Sequence, residues 1–138
     1  MTTVNVTSIA AFIRRNLPSM FSSLKRSSKR RQDVTNWLSW HMRGKDICPI
    51  MDGNKIKALG IARSIAKEED ARFSYRYDDN GGILYVPVAI AKDNESFKAL
   101  LTYCRFRWPK CTKIMFNRKK YNKRVVYDMK KFMRKAGI

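Results

Sequence analysis

Ile83-Leu84-Tyr85-Val86-Pro87-Val88-Ala89-Ile90-Ala91 is apolar at almost every position. A half-buried strand alternates apolar and polar side chains, whereas a strand covered on both faces is apolar nearly throughout. The run therefore predicts a central strand with other layers above and below it. Pro87 is the anomaly. Proline has no N–H for the ladder, so it implies a bulge or a point where the neighbouring strand splays away. The downstream residues fit a crossover. Asp93 or Asn94 can cap a helix whose Phe97, Leu100, Leu101, Cys104 and Trp108 share one face, and Pro109 stops it. Residues 113–117 (KIMFN) are then a short strand, parallel to the central one if the connection is the usual right-handed β-α-β.

Upstream, residues 72–77 alternate Phe73, Tyr75 and Tyr77 with Arg72, Ser74 and Arg76, the pattern of a half-buried antiparallel strand. The turn 78–82 (DDNGG) joins it to the central strand. Residues 46–51 and 55–65 flank Asp52-Gly53, a hairpin dipeptide, and Gly60 marks a bulge. A helix over 33–43 puts Val34, Trp37, Leu38, His41 and Met42 at helical spacing, with Gly44 just past its end. Before it, Ser8 caps a short helix with Ile9, Phe12 and Ile13 on one face, ended by Pro18. So few apolar turns bury little area in a lipid surface, so this helix docks on the protein's own core. Residues 22–31 (SSLKRSSKRR) read as a flexible basic linker, and equally as a nuclear-localisation or phosphate-contacting patch. At the far end a basic loop, 118–124, leads to residues 125–127 and a terminal helix with Phe132 and Met133. The expectation is α+β: a domain over 33–138 with a mixed, mostly antiparallel sheet, preceded by a basic helical arm over 1–32.

The chain has 138 residues, a hydrophobic fraction of 44% and an aromatic fraction of 12%, figures that belong to a folded domain rather than a disordered tail. Its formal charge is +19. Residues 1–44 carry a net +7, residues 45–97 a net −1 and residues 98–138 a net +13. A general demand for solubility would spread the charge more evenly, so the two basic ends point to a polyanionic partner. Cys48, Cys104 and Cys111 make neither an even set nor a CxxC pair and read as reduced thiols. A zinc site from Cys104, Cys111 and His41 matches no zinc spacing, and no metal site is expected. No apolar run approaches membrane-spanning length. The Arg- and Ser-rich start faintly resembles an organelle transit peptide, which ranks below an ordinary basic arm.

In its order of elements, the segment from His41 onward resembles the GCN5-related N-acyltransferase (GNAT) superfamily, closest to its small toxin-activating acyltransferases and phage-encoded relatives. That resemblance implies an acyl-CoA or acyl-carrier donor and a (Q/R)-x-x-G-x-(G/A) turn holding the coenzyme A pyrophosphate at a helix start. The matching stretch is Lys92-Asp93-Asn94-Glu95-Ser96-Phe97. Lys92 stands for the leading basic residue. Both glycines are replaced, and Asp93 and Glu95 oppose an anion. The resemblance also implies a catalytic His and an Asp in the buried strand. His41 is the candidate for the first, but residues 83–91 contain no acid. On an apolar helical face His41 reads first as a core or interface histidine and second as a catalyst.

The leading functional expectation is a non-catalytic protein that binds DNA or RNA with little sequence preference. Its cytoplasmic or virion-packaged setting suits a phage or mobile-element protein. Candidate contacts are Lys25, Arg26, Lys29, Arg30 and Arg31 in the arm, and Arg105, Arg107, Lys110, Arg118, Lys119, Lys120, Lys123 and Arg124 near the C-terminus. Cations neutralise phosphates and release counterions, while Tyr103, Phe106, Trp108, Phe116 and Tyr121, interleaved among them, supply rings for stacking. Of these, Trp108 and Phe116 are expected in the core. No cofactor is expected on this reading. The alternatives are an N-acyltransferase acting on a protein or small amine, and a basic protein with an acidic protein partner.

Overall fold

The computed structural model describes residues 4–16, 28–73, 75–118 and 123–138. Among them is a five-stranded mixed sheet in the order β1 (Ile47–Asp52), β2 (Lys55–Ile65), β3 (Ile83–Ile90), β4 (Lys113–Arg118), β5 (Lys123–Asp128). The fold is α+β. The apolar run is β3, the central strand, antiparallel to β2 and parallel to β4. Between β3 and β4 runs the crossover helix α3 (Asn94–Arg107); α1 (Val6–Asn16) and α2 (Ser28–Arg43) precede the sheet, and α4 (Met129–Lys135) comes after it.

Pro87 does what its chemistry requires. Ile61 lies opposite Val88 and Arg63 opposite Tyr85, so two steps along β2 match three along β3 and the extra residue bulges out. The pairing with β4 runs from Ile83↔Lys113 to Val86↔Phe116 and stops there. Beyond the proline the two parallel strands part.

Each face of the sheet has its own helical layer. Leu84, Val86, Ile114 and Phe116 meet Leu101, Cys104 and Trp108 of the α3 segment, with Met129 and Met133 of α4. On the other face Leu59, Ile61, Val88 and Ile90 meet Ile9, Phe12 and Ile13 of α1 and Leu38 of α2. Burying side chains of this size contributes roughly 1.5–3 kcal/mol each. The apolar stripe of α1 is thus used up inside the protein, and α1 is a core element. Its cap is Asn5 rather than Ser8: Ser8 N–H donates to Asn5 Oδ1 and Asn5 N–H donates to Ser8 Oγ. The reciprocal pair starts the helix one turn earlier. α2 also starts early, so residues 28–31, expected in a flexible linker, have helical backbone. Pro18 and most of that linker lie outside the described residues.

One local expectation is corrected in the hairpin: Gly60 marks no bulge. The bulge in the β1–β2 pair falls at Lys57, where Ile50↔Ala58 is followed by Met51↔Ile56. Gly60 instead lets α3 approach, since a Cβ there would sit 3.2 Å from a Leu100 methyl. At the tip, Asp52 pairs with Lys55, and Gly53 takes the left-handed conformation at φ 59°.

The largest correction concerns residues 72–77. Glu68–Arg72 is a 3-10 turn, and the described residues of 73–77 form no strand. The reason is Arg63, buried on β2. Its Nε donates to Arg76 O at 2.7 Å and its Nη2 to Phe73 O at 2.6 Å, with longer contacts to Asp70 O and Ala71 O. These carbonyls turn inward to one guanidinium instead of outward to a neighbouring strand. The segment becomes a strap, with Phe73, Tyr75 and Tyr77 largely exposed. Asp70, the last of three consecutive acids, is buried and accepts from Lys67 N and Arg76 Nη1.

Candidate nucleic-acid interface

His41 is near the end of α2, and the way that helix stops decides its surroundings. Lys45 N–H bonds Met42 O and Asp46 N–H bonds His41 O, the two bonds of a Schellman motif. Its left-handed position is Lys45 (φ 59°), not Gly44. Gly44 is there for space, because a Cβ would lie 3.0 Å from Asp46 Oδ2. The turn folds Asp46 back so that Oδ2 is 2.9 Å from His41 Nδ1. The carboxylate that residues 83–91 lack therefore comes from five residues downstream of the histidine.

The histidine is nonetheless sealed. His41 is 0% exposed, boxed edge-on by Trp37 and Trp40 at 4.6 and 4.8 Å, and its Nε2 is buried without a hydrogen-bond partner. Burial lowers its pKa, the Asp46 carboxylate pulls the other way, and Arg63 adds to the lowering. A general base must reach its proton, directly or through one water. This imidazole faces only protein.

At the corner where the sequence resemblance implies a coenzyme A turn, Asp93 caps α3. Its Oδ1 accepts from Ser96 N at 2.8 Å and its Oδ2 from Ser96 Oγ at 3.0 Å. These bonds, the backbone one foremost, hold its pKa down. The helix start that would face a pyrophosphate already holds the protein's own carboxylate. Lys92 is exposed beside it.

The C-terminal cations are better organised than the sequence suggests. Two grooves flank α4. The larger, about 1110 Å³, has Phe97, Val126, Tyr127 and Phe132 in its walls together with Arg118, Lys131, Arg134 and Lys135. The other, about 650 Å³, is lined by Arg105, Trp108, Pro109, Lys130, Arg134 and Ile138, among others. The carboxylate common to both is Asp128, whose side chain accepts from Lys131 N as the α4 cap. Arg118 lies over the Tyr127 ring at 5.8 Å. This arrangement presents six cations on a face with one acid, and that acid is tied to the backbone.

Of the expected contacts, Arg105 and Arg118 belong to this face, and Lys110, Lys123 and Arg124 are exposed, Arg124 reaching over Tyr85 on the opposite side of the sheet. Arg107 is elsewhere, donating to Gly44 O and lying 3.8 Å from Asp46 Oδ1. Lys29, Arg30 and Arg31 fall in the first turn of α2. Lys25, Arg26, Lys119, Lys120 and Tyr121 lie outside the described residues. Trp108 and Phe116 are core residues, whereas Phe106 is 87% exposed between Arg105 and Arg107. The α4 cations are hard to single out in the sequence because the loop before them is denser in charge; their signal is the KK-x-x-RK spacing around Met129 and Met133, which turn inward.

A further pocket, about 290 Å³, lies between the end of α2 and the strap, lined by Trp40, Arg43, Asp46, Arg63, Ser64, Tyr77, Asp79, Arg107 and Trp108. Among the described residues no group of three or more His, Cys, Asp or Glu side chains is placed to hold a metal ion, and no helix is long and apolar enough to cross a membrane. Compared with known proteins, the chain matches no family model, no curated protein and no solved structure.

Proposed function

We propose that this protein binds nucleic acid with little sequence preference, through the face built around α4. The observation that carries the reading is the pair of grooves beside that helix, where six cations meet one carboxylate already engaged as a cap. Such a face gains affinity by releasing counterions from the phosphate backbone, a term indifferent to sequence. The rings in the larger groove, Phe97, Tyr127 and Phe132, offer surfaces on which any base stacks alike. The working setting is the cytoplasm or a particle packaged with nucleic acid.

The test is fluorescence anisotropy with labelled duplexes and single strands of unrelated sequence across a salt series. Log K should fall with log salt at about −0.9 per neutralised phosphate on duplex and about −0.7 on single strands. Replacing Arg118, Lys131 and Lys135 by Gln should weaken all sequences alike and flatten the slope by about three contacts' worth. The same change at Lys45, Lys55 and Lys57, in the neutral middle, should do neither. Equal losses in the two variants would reduce the effect to overall charge. Absence of any salt-sensitive binding would redirect the search to an acidic protein partner.

One observation favours a second reading, an acyl-CoA-dependent N-acyltransferase on a GNAT-like scaffold. β3 and β4 part after Val86, and in that superfamily such a gap admits the pantetheine arm. The sealed His41 and the filled start of α3 stand against it. Coenzyme A that raised the melting temperature would reverse the order of the two readings.

A further inference from the structure

We infer that the pocket between the end of α2 and the strap takes one unpaired nucleotide, so that the protein holds single strands in preference to duplex. This rests on the nucleic-acid reading above and adds the substrate class.

The pocket is of the right kind and in the right place. Its volume of about 290 Å³ is near the lower end of small-ligand sites, which run from roughly 300 to 1,000 Å³. Trp40 and Tyr77 stand in its wall with ring centroids 5.6 Å apart, tilted by 60°. Tyr77 is 55% exposed, so ring surface is left uncovered. Arg43, exposed, and Arg107, half-exposed, supply cations at the rim for a phosphate. The third cation, Arg63, has its guanidinium committed to the strap carbonyls and contributes field rather than contact. The acids in the lining are Asp46, held by His41 and close to Arg107, and Asp79, so three cations face two carboxylates.

Continuity with the α4 face completes the case. Trp108 lines both this pocket and the smaller of the two α4 grooves. Groove and pocket thus share one nearly buried ring, and a strand held along α4 past Arg105 passes close to the pocket. In a duplex the base faces are covered by their neighbours, and a ring can stack on a base only after it leaves the stack. The α4 face tolerates either form; the pocket requires an unpaired base.

The test compares three labelled ligands by anisotropy at fixed salt: a short single strand, the same strand annealed to its complement, and a strand of abasic residues of equal length. Base–aromatic stacking corresponds to about a 5- to 140-fold change in affinity per base. Wild-type protein should bind the intact strand tighter than the abasic one by at least the lower figure. Tyr77→Ala should erase that gap and leave duplex affinity unchanged, whereas Tyr77→Phe, which keeps the ring, should preserve it. If wild type treats intact and abasic strands alike, or Tyr77→Ala keeps the full gap, the pocket holds no base and the proposed function survives. Should none of the three ligands bind, the proposed function falls, and this inference with it. The wild-type comparison needs no variant, so it decides even if Tyr77→Ala does not fold.

Discussion

Replacing Arg63 by leucine should loosen the strap and destabilise the whole protein. The guanidinium makes two short hydrogen bonds, to Phe73 O at 2.6 Å and Arg76 O at 2.7 Å, and two long ones of 3.4 and 3.5 Å. A bond from a charged donor contributes about 1.5–3 kcal/mol, so the two short ones amount to roughly 3–6 kcal/mol and the long ones add little. Two effects favour the lower figure. Phe73 and Arg76 are exposed, so their carbonyls regain water once released. Leucine also removes the cost of keeping a charge at 2% exposure. A loss of about 3 kcal/mol is expected, which for a domain of this length lowers the melting point by about 12 °C at roughly 4 °C per kcal/mol. Urea titration and thermal melting followed by circular dichroism would measure it. Arg63→Lys, which keeps the charge without the planar fork, should fall between. Tryptophan fluorescence gives a local readout, because the strap brings Tyr75 and Tyr77 against Trp40. If Arg63→Leu lost less than about 1 kcal/mol, the strap would be held by something other than this guanidinium.

Three further outcomes rest on a histidine, the three cysteines and a glycine. Burial lowers the His41 pKa below its usual 6.5, so the unfolded chain binds the proton more readily than the folded one; that contribution to stability is complete above about pH 6.5 and is lost as pH falls toward the folded value. Melting temperatures between pH 8 and pH 5 should therefore decline below about pH 6.5, and His41→Gln should flatten that part of the profile. Burial pushes the Cys104 thiol up to about 12 and those of Cys48 and Cys111 to about 11; intact-mass measurement should find no alkylation at pH 8 in the folded protein and three adducts in denaturant, and two adducts or fewer would reveal a bonded thiol. At Gly81 a Cβ would stand 2.3 Å from Ile65 O and 2.4 Å from its carbonyl carbon, so Gly81→Ala must shift backbone and should cost about 3 kcal/mol or more by chemical denaturation.

The parts of the fold legible in the sequence are those that local pattern decides. Residues 83–91 are apolar because both faces of β3 are covered, and Pro87 interrupts the ladder wherever the strand lies. Asp93 caps α3 through Ser96, three positions along, with no help needed from a distant element. Residues 72–77 mislead for an equally physical reason. Alternation of aromatic and basic side chains describes a half-buried strand, but also a strap whose carbonyls are claimed from beneath. Nothing within 72–77 distinguishes the two. The deciding residue, Arg63, is nine positions upstream of Arg72 in the mostly apolar second half of β2, residues 58–65. That placement is itself the signal, since a guanidinium buried there must find carbonyls somewhere.

The candidate site divides along the same line. Which segments are basic can be counted from the sequence; which cations share a surface cannot. Arg105 and Arg107 are two positions apart on α3, yet Arg105 lines the α4 groove while Arg107 turns to Gly44 and Asp46 at the end of α2. There it joins Arg43, a member of the other basic segment. One arginine from each basic segment, Arg43 of residues 1–44 and Arg107 of residues 98–138, is thus brought to one pocket, because the turn that ends α2 receives the Arg107 guanidinium. His41 and Asp46 fix that meeting point. Their hydrogen bond closes the turn in which Gly44 O receives Arg107, and the Trp40 ring that seals His41 also forms the pocket wall beside Tyr77. The histidine–carboxylate pair that resembles catalytic machinery acts here as the brace that aligns a cation and an aromatic ring.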